Sequence, residues 1–380
     1  MFILNNPYVS DFLVNTIKEN NYSILDYGLA KNYFSQNELI SSENAKTFSK
    51  FYLNSEDSID WIFENLAESN LAKMIKLSKD KALFRKMLSK IYPNYYFREV
   101  TLTDLKNLDS SSLKYPFVLK PSVGFLSFGV YPIKNEVEFK DVISKIDSDI
   151  EKLKGVFPLS VVDCTNFLIE EMIDGDEFAL DAYFDNDGKA TILNIFQHPF
   201  LNEKDVSDRL YFTSKAIIQK YLKPFEELLN KIGEAGNYKN FPFHLELRIG
   251  KNGIIPIEIN PMRFCGWCIT DIAYFAWKIN PYVYFMENKK PNWDEILNST
   301  NDNYFYFTIG DIPANINRAQ IKSIDYEAYL KNISNPLDIR KIDYKTKPVF
   351  TIVFGKTNDY KEIENLLALD MNQFIEQEKQ

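Results

Sequence analysis

Three groups of residues in this chain have types and spacings that could do chemistry. The first is a pair of alternating runs, His244-Leu-Glu-Leu-Arg248 and Ile257-Glu-Ile-Asn-Pro261. In a period-two strand His244, Glu246 and Arg248 share one face, and Glu258 and Asn260 share a face on the next strand. Joined as a hairpin across Lys251-Asn-Gly253, with Asn-Gly as favoured turn chemistry, the two runs bring two carboxylates and an amide oxygen together. Hard oxygen ligands of this kind suit Mg²⁺, which usually keeps substrate phosphates as its remaining ligands. A solvated hairpin face with alternate polar residues has the same pattern, and the pattern alone leaves both readings open.

The second group is the loop Pro121-Ser-Val-Gly-Phe-Leu-Ser-Phe-Gly129, with Lys120 immediately before it. Glycines and small hydroxyl residues let backbone N–H groups approach a phosphate closely, and Ser122, Gly124, Ser127 and Gly129 give the loop that character. Many hairpin loops look similar. The loop matches neither the Walker A pattern nor the dinucleotide glycine fingerprint. The third group is Leu168-Ile-Glu-Glu-Met-Ile-Asp-Gly-Asp-Glu177, a strand that ends in paired carboxylates, turns at Gly175 and restarts. By itself it reads as surface.

The elements that must position these groups follow from periodicity. Phe2 to Leu4 and Tyr22 to Leu25 read as strands flanking a helix over Val9 to Glu19, the start of an open α/β domain. Helices follow around Ser58 to Leu66 and Leu71 to Ile75. Lys79-Asp-Lys81 opens another, with Leu83, Phe84, Met87, Leu88 and Ile91 along one face and Pro93 at its end. Strands are expected at Tyr115 to Lys120 and Gly129 to Ile133, then a helix from Asn135 to Leu153. Further strands are expected at Asn166 to Met172, Glu177 to Phe184 and Ala190 to Gln197, with Asp185-Asn-Asp-Gly188 as the turn between the last two. Ser214 to Ile232 reads as an amphipathic helix interrupted at Pro224. After Ile309 the pattern is mixed α/β, with a strand at Val349 to Phe354.

Composition bounds the function. A chain of 380 residues, 45% hydrophobic, can bury a large core in two or three domains. No apolar run approaches the ~20 residues that span a bilayer, and Met1-Phe-Ile-Leu-Asn reads as a first strand rather than a signal peptide, so a cytoplasmic, membrane-free protein is expected. A net charge of −9 argues against nucleic acid as a partner. Cys164, Cys265 and Cys268 form no disulfide framework; Cys265-Gly-Trp-Cys268 has the spacing of a zinc or redox half-site but lacks a second pair, so packed, reduced thiols are expected. A homodimer is the default assembly.

In this order, the three groups resemble the ATP-grasp superfamily from about Lys81 to Trp267, most strongly at Val118-Leu-Lys-Pro-Ser122, Ile169 to Glu177 and Ile257 to Arg263. The resemblance implies an α/β protein of α+β lobes behind a Rossmann-like N-terminal domain. Its parts would be residues 1–77 (N-terminal domain), 78–172 (N-lobe with phosphate lid), 173–308 (C-lobe with the magnesium and substrate site) and 309–380 (C-terminal extension). It implies ATP between the lobes, with Lys81 and Lys120 on its phosphates and Ser122 to Gly129, including Ser127, as a lid. Glu170, Glu171 and Ile173 would form the adenine linker, and Glu177 would bind the ribose. Glu246, Glu258 and Asn260 would hold two Mg²⁺ ions, with Mn²⁺ able to substitute.

Arg263 matches a basic group for an acyl phosphate or substrate carboxylate, while His244 and Arg248 match phosphate or substrate contacts. Phe264-Cys-Gly-Trp-Cys268 departs from the small, glycine-rich continuation usual in the family, which leaves the substrate unidentified. The activity implied is ligation of a small carboxylic acid to an amine through an acyl phosphate. The alternatives are an ATP-dependent kinase or carboxylase of the same fold, and a nucleotide-binding module without catalysis. A histidine base is available only from His198 or His244, of which His198 reads as structural; Asp181 is the carboxylate alternative for acid–base chemistry.

Overall fold

A computed structural model describes residues 1–123, 129–154, 163–202, 205 and 207–378. The chain opens on four short strands, β1 (Phe2–Ile3), β2 (Ile24–Leu25), β3 (Leu39–Ile40) and β4 (Tyr52–Leu53), paired in parallel in the order β3-β2-β1-β4. Parallel neighbours need a crossover. Helix α1 (Asp11–Glu19) supplies the first, capped by the Ser10 side chain, which accepts from the Leu13 N–H.

Helices α2 (Ser42–Ala45), α3 (Ile59–Asn65) and α4 (Asn70–Lys79) lead into α5 (Lys81–Leu88). Asp80 caps α5 by accepting from the Ala82 and Leu83 N–H groups, so Lys79 and Lys81 stand on different helices. Helix α5 stops short of Pro93, because the Ile91 and Tyr92 N–H groups both turn back to the Leu88 carbonyl.

A small antiparallel sheet follows: β5 (Phe97–Thr101), β6 (Phe117–Val123), β7 (Tyr131–Ile133) and β8 (Asp163–Glu171), in the order β5-β8-β6-β7. Helices α6 (Leu102–Lys106) and α7 (Glu136–Lys154) accompany it. Strand β6 runs beyond its expected end, so Pro121 and Ser122 belong to the strand and not to the loop. Strand β7 pairs only with Phe117 to Leu119, so a proline at 121, which has no N–H, costs no ladder bond on that side.

The largest sheet takes β9 (Asp176–Phe184), β10 (Ala190–His198), β11 (Leu210–Ser214), β12 (Phe241–Gly250), β13 (Gly253–Pro261) and β14 (Tyr304–Asp311). After β15 (Ile321–Ile324), β16 (Pro336–Lys341) and β17 (Val349–Thr357) join the same sheet, and β18 (Ile375–Gln377) pairs with β15. The order is β13-β12-β9-β10-β11-β14-β17-β16, antiparallel throughout. The boundary expected after residue 308 falls inside β14, whose pairing with β17 carries the sheet into the C-terminal segment.

Helix α8 (Lys215–Gly236) covers this sheet and is not interrupted: it passes through Pro224 and ends at left-handed Asn237. The carbonyl that loses its partner is that of Lys220, which is exposed and open to water. The N-terminal parallel sheet and the eight-stranded sheet share one continuous apolar core, whereas the small sheet has a separate one. Among the described residues, no helix is long and apolar enough to cross a membrane.

Candidate functional site

The hairpin of β12 and β13 places Glu246 directly opposite Glu258, and His244 opposite Asn260. The turn differs from the expected Asn-Gly pair: Gly250 faces Gly253, and Gly253 itself takes the left-handed conformation (φ 86°). The Asn260 side-chain N–H donates to Glu246 Oε1 (3.1 Å), and Lys81 Nζ lies 2.6 Å from Glu258 Oε2. Burial, reinforced by the negative charges of Glu258, Glu177 and Asp208, raises the Glu246 carboxyl well above the usual carboxylate range. Burial pushes Glu258 the same way, but Lys81, with Lys120 and Lys79, outweighs it and the carboxyl is lowered. Lys81 is raised in turn, because Glu258 more than offsets its burial.

Lys120 projects from β6 and is buried. Its ammonium pairs with Glu170 Oε1, and Arg85 Nε donates to the other oxygen of Glu170 at 2.5 Å. Burial opposes the charge on Glu170, yet Arg85 and Lys120 together hold its carboxyl at about 2. Lys120 goes the other way: burial lowers it despite Glu170, and the neighbouring charges of Arg85 and Lys81 add to the effect. Ser122, two residues along the same strand, is buried with no hydrogen-bond partner for its hydroxyl among the described residues. Ser127 and most of the expected lid lie outside the described residues.

The segment between β8 and β9 is held by its backbone. Tyr95 donates to the Glu171 carbonyl (3.0 Å), and Arg248 Nη1 donates to the Ile173 carbonyl (3.0 Å). Arg248 Nε also donates to Glu177 Oε2 (3.0 Å), while Glu177 Oε1 meets His198 Nδ1 at 2.8 Å. His198 stacks on Tyr211 with ring centroids 3.9 Å apart and uses its other nitrogen on the Ser207 carbonyl. Glu170, expected on the adenine linker, instead turns its side chain inward to Arg85 and Lys120.

His244 Nδ1 meets Asp181 Oδ1 at 2.8 Å, and the Cys265 N–H donates to the same oxygen (2.7 Å). Asp181 is fully enclosed and stands directly opposite His244 on the neighbouring strand β9. Arg263 reaches back to Glu56, with Nη2 2.7 Å from Oε1, and Lys79 pairs with the second oxygen of Glu56. Burial raises Glu56, but Lys79 and Arg263 outweigh it and hold the carboxyl at about 2. Cys265 and Cys268 are free thiols, and burial lifts that of Cys265 well above its ordinary value, so it is not a ready nucleophile.

Glu246, Glu258, Asn260, His244 and Lys81 thus come together at the hairpin, linked to Lys120 through Glu170 and Arg85. Arg248 and Glu177 gather at the linker, and Arg263 at the edge of the N-terminal sheet. Sequence reasoning missed Arg85, Glu56 and Lys79. Arg85 had a signal: it stands one helical turn from Lys81, on the inward side of an amphipathic helix where a charge needs a partner. Glu56 had none: of its two partners, Lys79 stands 23 residues on and outside any local repeat, and Arg263 lies 207 residues away. A hollow of about 610 Å³ lined by Arg98, Thr101, Asp104 and Asp109 lies apart from these groups, on the small sheet.

Residues 113–271 match the model of the ATP-grasp domain. No curated protein sequence matches the chain. Among solved structures, the chain is similar to the L-amino acid ligase from Bacillus licheniformis (TM-score 0.70, 16% identity, 100% of this chain and 98% of that one). It is also similar to the β-γ-ATP complex of biotin carboxylase from Campylobacter jejuni (TM-score 0.65, 13% identity, 96% and 89% covered). A third is the biotin carboxylase domain of 2-oxoglutarate carboxylase from Hydrogenobacter thermophilus, in complex with MgADP and bicarbonate (TM-score 0.58, 14% identity, 94% and 86% covered). At these identities the likeness concerns the fold.

Proposed function

We propose that this chain is a member of the ATP-grasp superfamily and an ATP-dependent ligase that activates a small carboxylic acid as an acyl phosphate and joins it to an amine. The observation that carries this reading is the half-buried, directly opposed pair Glu246 and Glu258, flanked by Asn260 and backed by Lys81. Its chemistry fits a divalent cation. Two carboxylates face each other, Lys81 pairs with Glu258, and among the described residues no ion pair reaches Glu246, whose carboxyl is raised by burial and like charge. Glu246, Glu258 and the Asn260 amide oxygen would hold Mg²⁺, which supplies charge neutralisation for the transferred phosphoryl group.

Lys120, and Lys81 as the nucleotide draws it from Glu258, bind the phosphates, with the Ser122 hydroxyl, which has no partner among the described residues, on the same strand as Lys120. The adenine rests on the linker around Glu171 and Ile173, with Glu170 orienting Lys120 from beneath. Arg248 holds Glu177 and the linker carbonyl in place for the ribose. A carboxylate oxygen of the acid attacks the γ-phosphorus and the bond to the bridging oxygen of ADP breaks. The amine then attacks the acyl carbon, loses a proton, and phosphate leaves with the C–O bond pair.

His244, fixed through Nδ1 by Asp181, keeps Nε2 for that proton, and Arg263, once drawn from Glu56, would meet the acid or its phosphate. Calorimetry with ATP in the presence and absence of Mg²⁺ tests the reading: binding is expected, strengthened by the metal, and its absence defeats the proposal. The likeness to biotin carboxylase favours one further reading, carboxylation. ADP release that requires bicarbonate would select it.

A further inference from the structure

We infer that Arg85 is a positioning residue that ties Lys120 to the carboxylate strand β13, so that one guanidinium sets both sides of the site. This rests on the reading of Lys120 as a phosphate ligand. Arg85 is 2% exposed and spends every part of its fork. Nε donates to Glu170 Oε2 (2.5 Å), Nη1 to the Pro256 carbonyl (2.6 Å) and Nη2 to the Ile257 carbonyl (3.2 Å). The Tyr95 ring lies against it, 4.7 Å from the guanidinium carbon.

The contacts form one line across two sheets. Lys120 on β6 pairs with Glu170 on β8; Glu170 pairs with Arg85; Arg85 grips the two carbonyls that precede Glu258 on β13. Lys81, one turn earlier on α5, pairs with Glu258 itself. Helix α5 therefore presents both cations to the large sheet and, through Arg85, one of them to the small sheet as well. The small sheet has its own apolar core, so this polar line is a principal tie at the site between its lysine and the opposing carboxylates.

The charge count gives the line a direction. Two buried cations, Arg85 and Lys120, share the single carboxylate of Glu170, and an arginine stays protonated. The surplus positive charge falls on Lys120, and a phosphate anion there would complete it. A lysine at position 85 would keep the charge but lose the fork that reaches Glu170 and two carbonyls at once.

The test is nucleotide affinity by calorimetry with a non-hydrolysable ATP analogue and Mg²⁺, read beside thermal unfolding. Arg85→Lys is expected to weaken binding about tenfold, and Arg85→Lys with Lys120→Met no more than Lys120→Met alone, because contacts in one network do not add. Affinity of Arg85→Lys within about twofold of the parent, or a full additive loss in the double variant, overturns the inference. Should Arg85→Lys not fold, Glu170→Asp shortens the same link with its charge kept: weakened binding supports the tie and unchanged binding overturns it. A parent protein that binds no nucleotide defeats the functional reading itself, a result separate from any behaviour of the Arg85 variants.

Discussion

The small sheet and the eight-stranded sheet are built on different terms. The small one closes a core of its own from Val100, Phe117, Leu119, Phe139, Ile146, Phe167 and Ile169. The large one merges its core with the N-terminal parallel sheet, where Phe2, Tyr52, Phe264 and Tyr282 form a chain of ring contacts. A buried polar knot reinforces that union. Asp271 accepts from Ser10 (2.7 Å), Tyr282 (2.5 Å) and Arg340 (2.7 Å), so the N-terminal segment, the stretch after β13 and strand β16 meet at one carboxylate.

The difference bears on catalysis. Glu246 and Glu258 stand on the integrated frame, while Lys120 stands on a body joined to it at the site by charged contacts. Such a body can change its angle without opening an apolar core, the condition for closing over a substrate and opening again.

The largest effect expected concerns the frame's carboxylates. Glu258→Gln should lower ADP formation by about a thousandfold or more with the fold retained, as checked by circular dichroism, because charge stabilisation of the transferred phosphoryl group is lost. Arg340→Met strikes the frame away from the site. It leaves Asp271 buried without its cation and should cost about 3–5 kcal/mol in denaturant titration. A change near zero would mean that the knot does not hold the three segments.

Phe139→Leu trims the small core and should cost about 1–3 kcal/mol. Hydrogen exchange should place that loss in residues 97–154 and leave β12 and β13 protected. Equal loss of protection in both sheets would break the comparison.

The last effect expected is in acid. Glu170 has an ordinary value of 4.5 in the unfolded chain and about 2 in the fold, so its contribution is complete above the first and lost as pH falls through the second. Stability of the parent should drop across that window. Glu170→Gln, less stable at neutral pH, should show a shallower slope there, the remainder coming from groups such as Glu56.

Much of this arrangement is legible in local pattern. The alternation of His244, Glu246 and Arg248, set against Glu258 and Asn260, specifies which side chains meet, because hairpin partners are close in sequence. Lys120 at the end of an apolar strand is visible for the same reason. What was not legible is partner choice over long separations. Glu170 reads as a surface acid until Arg85 and Lys120 are brought to it, and Arg263 reads as a substrate contact with no sign of Glu56, which reaches it from the turn after β4. Pro224 reads as a break because the pattern does not show that its neighbouring turn faces water. The C-terminal strands read as a separate extension because strand pairing, not composition, recruits β16 and β17 to the large sheet.

The central claim is that the opposed carboxylate pair Glu246 and Glu258 and the lysines near it activate an acid for attack by an amine. ADP release measured across a matrix of carboxylic acids and amines, with mass spectrometry of the products, tests it most directly. The account predicts ADP formation that needs Mg²⁺, an acid and an amine together, and a product mass equal to acid plus amine less water. ADP release with an acid alone that yields a stable phosphate ester, or with bicarbonate that yields a carboxylated product, would contradict it.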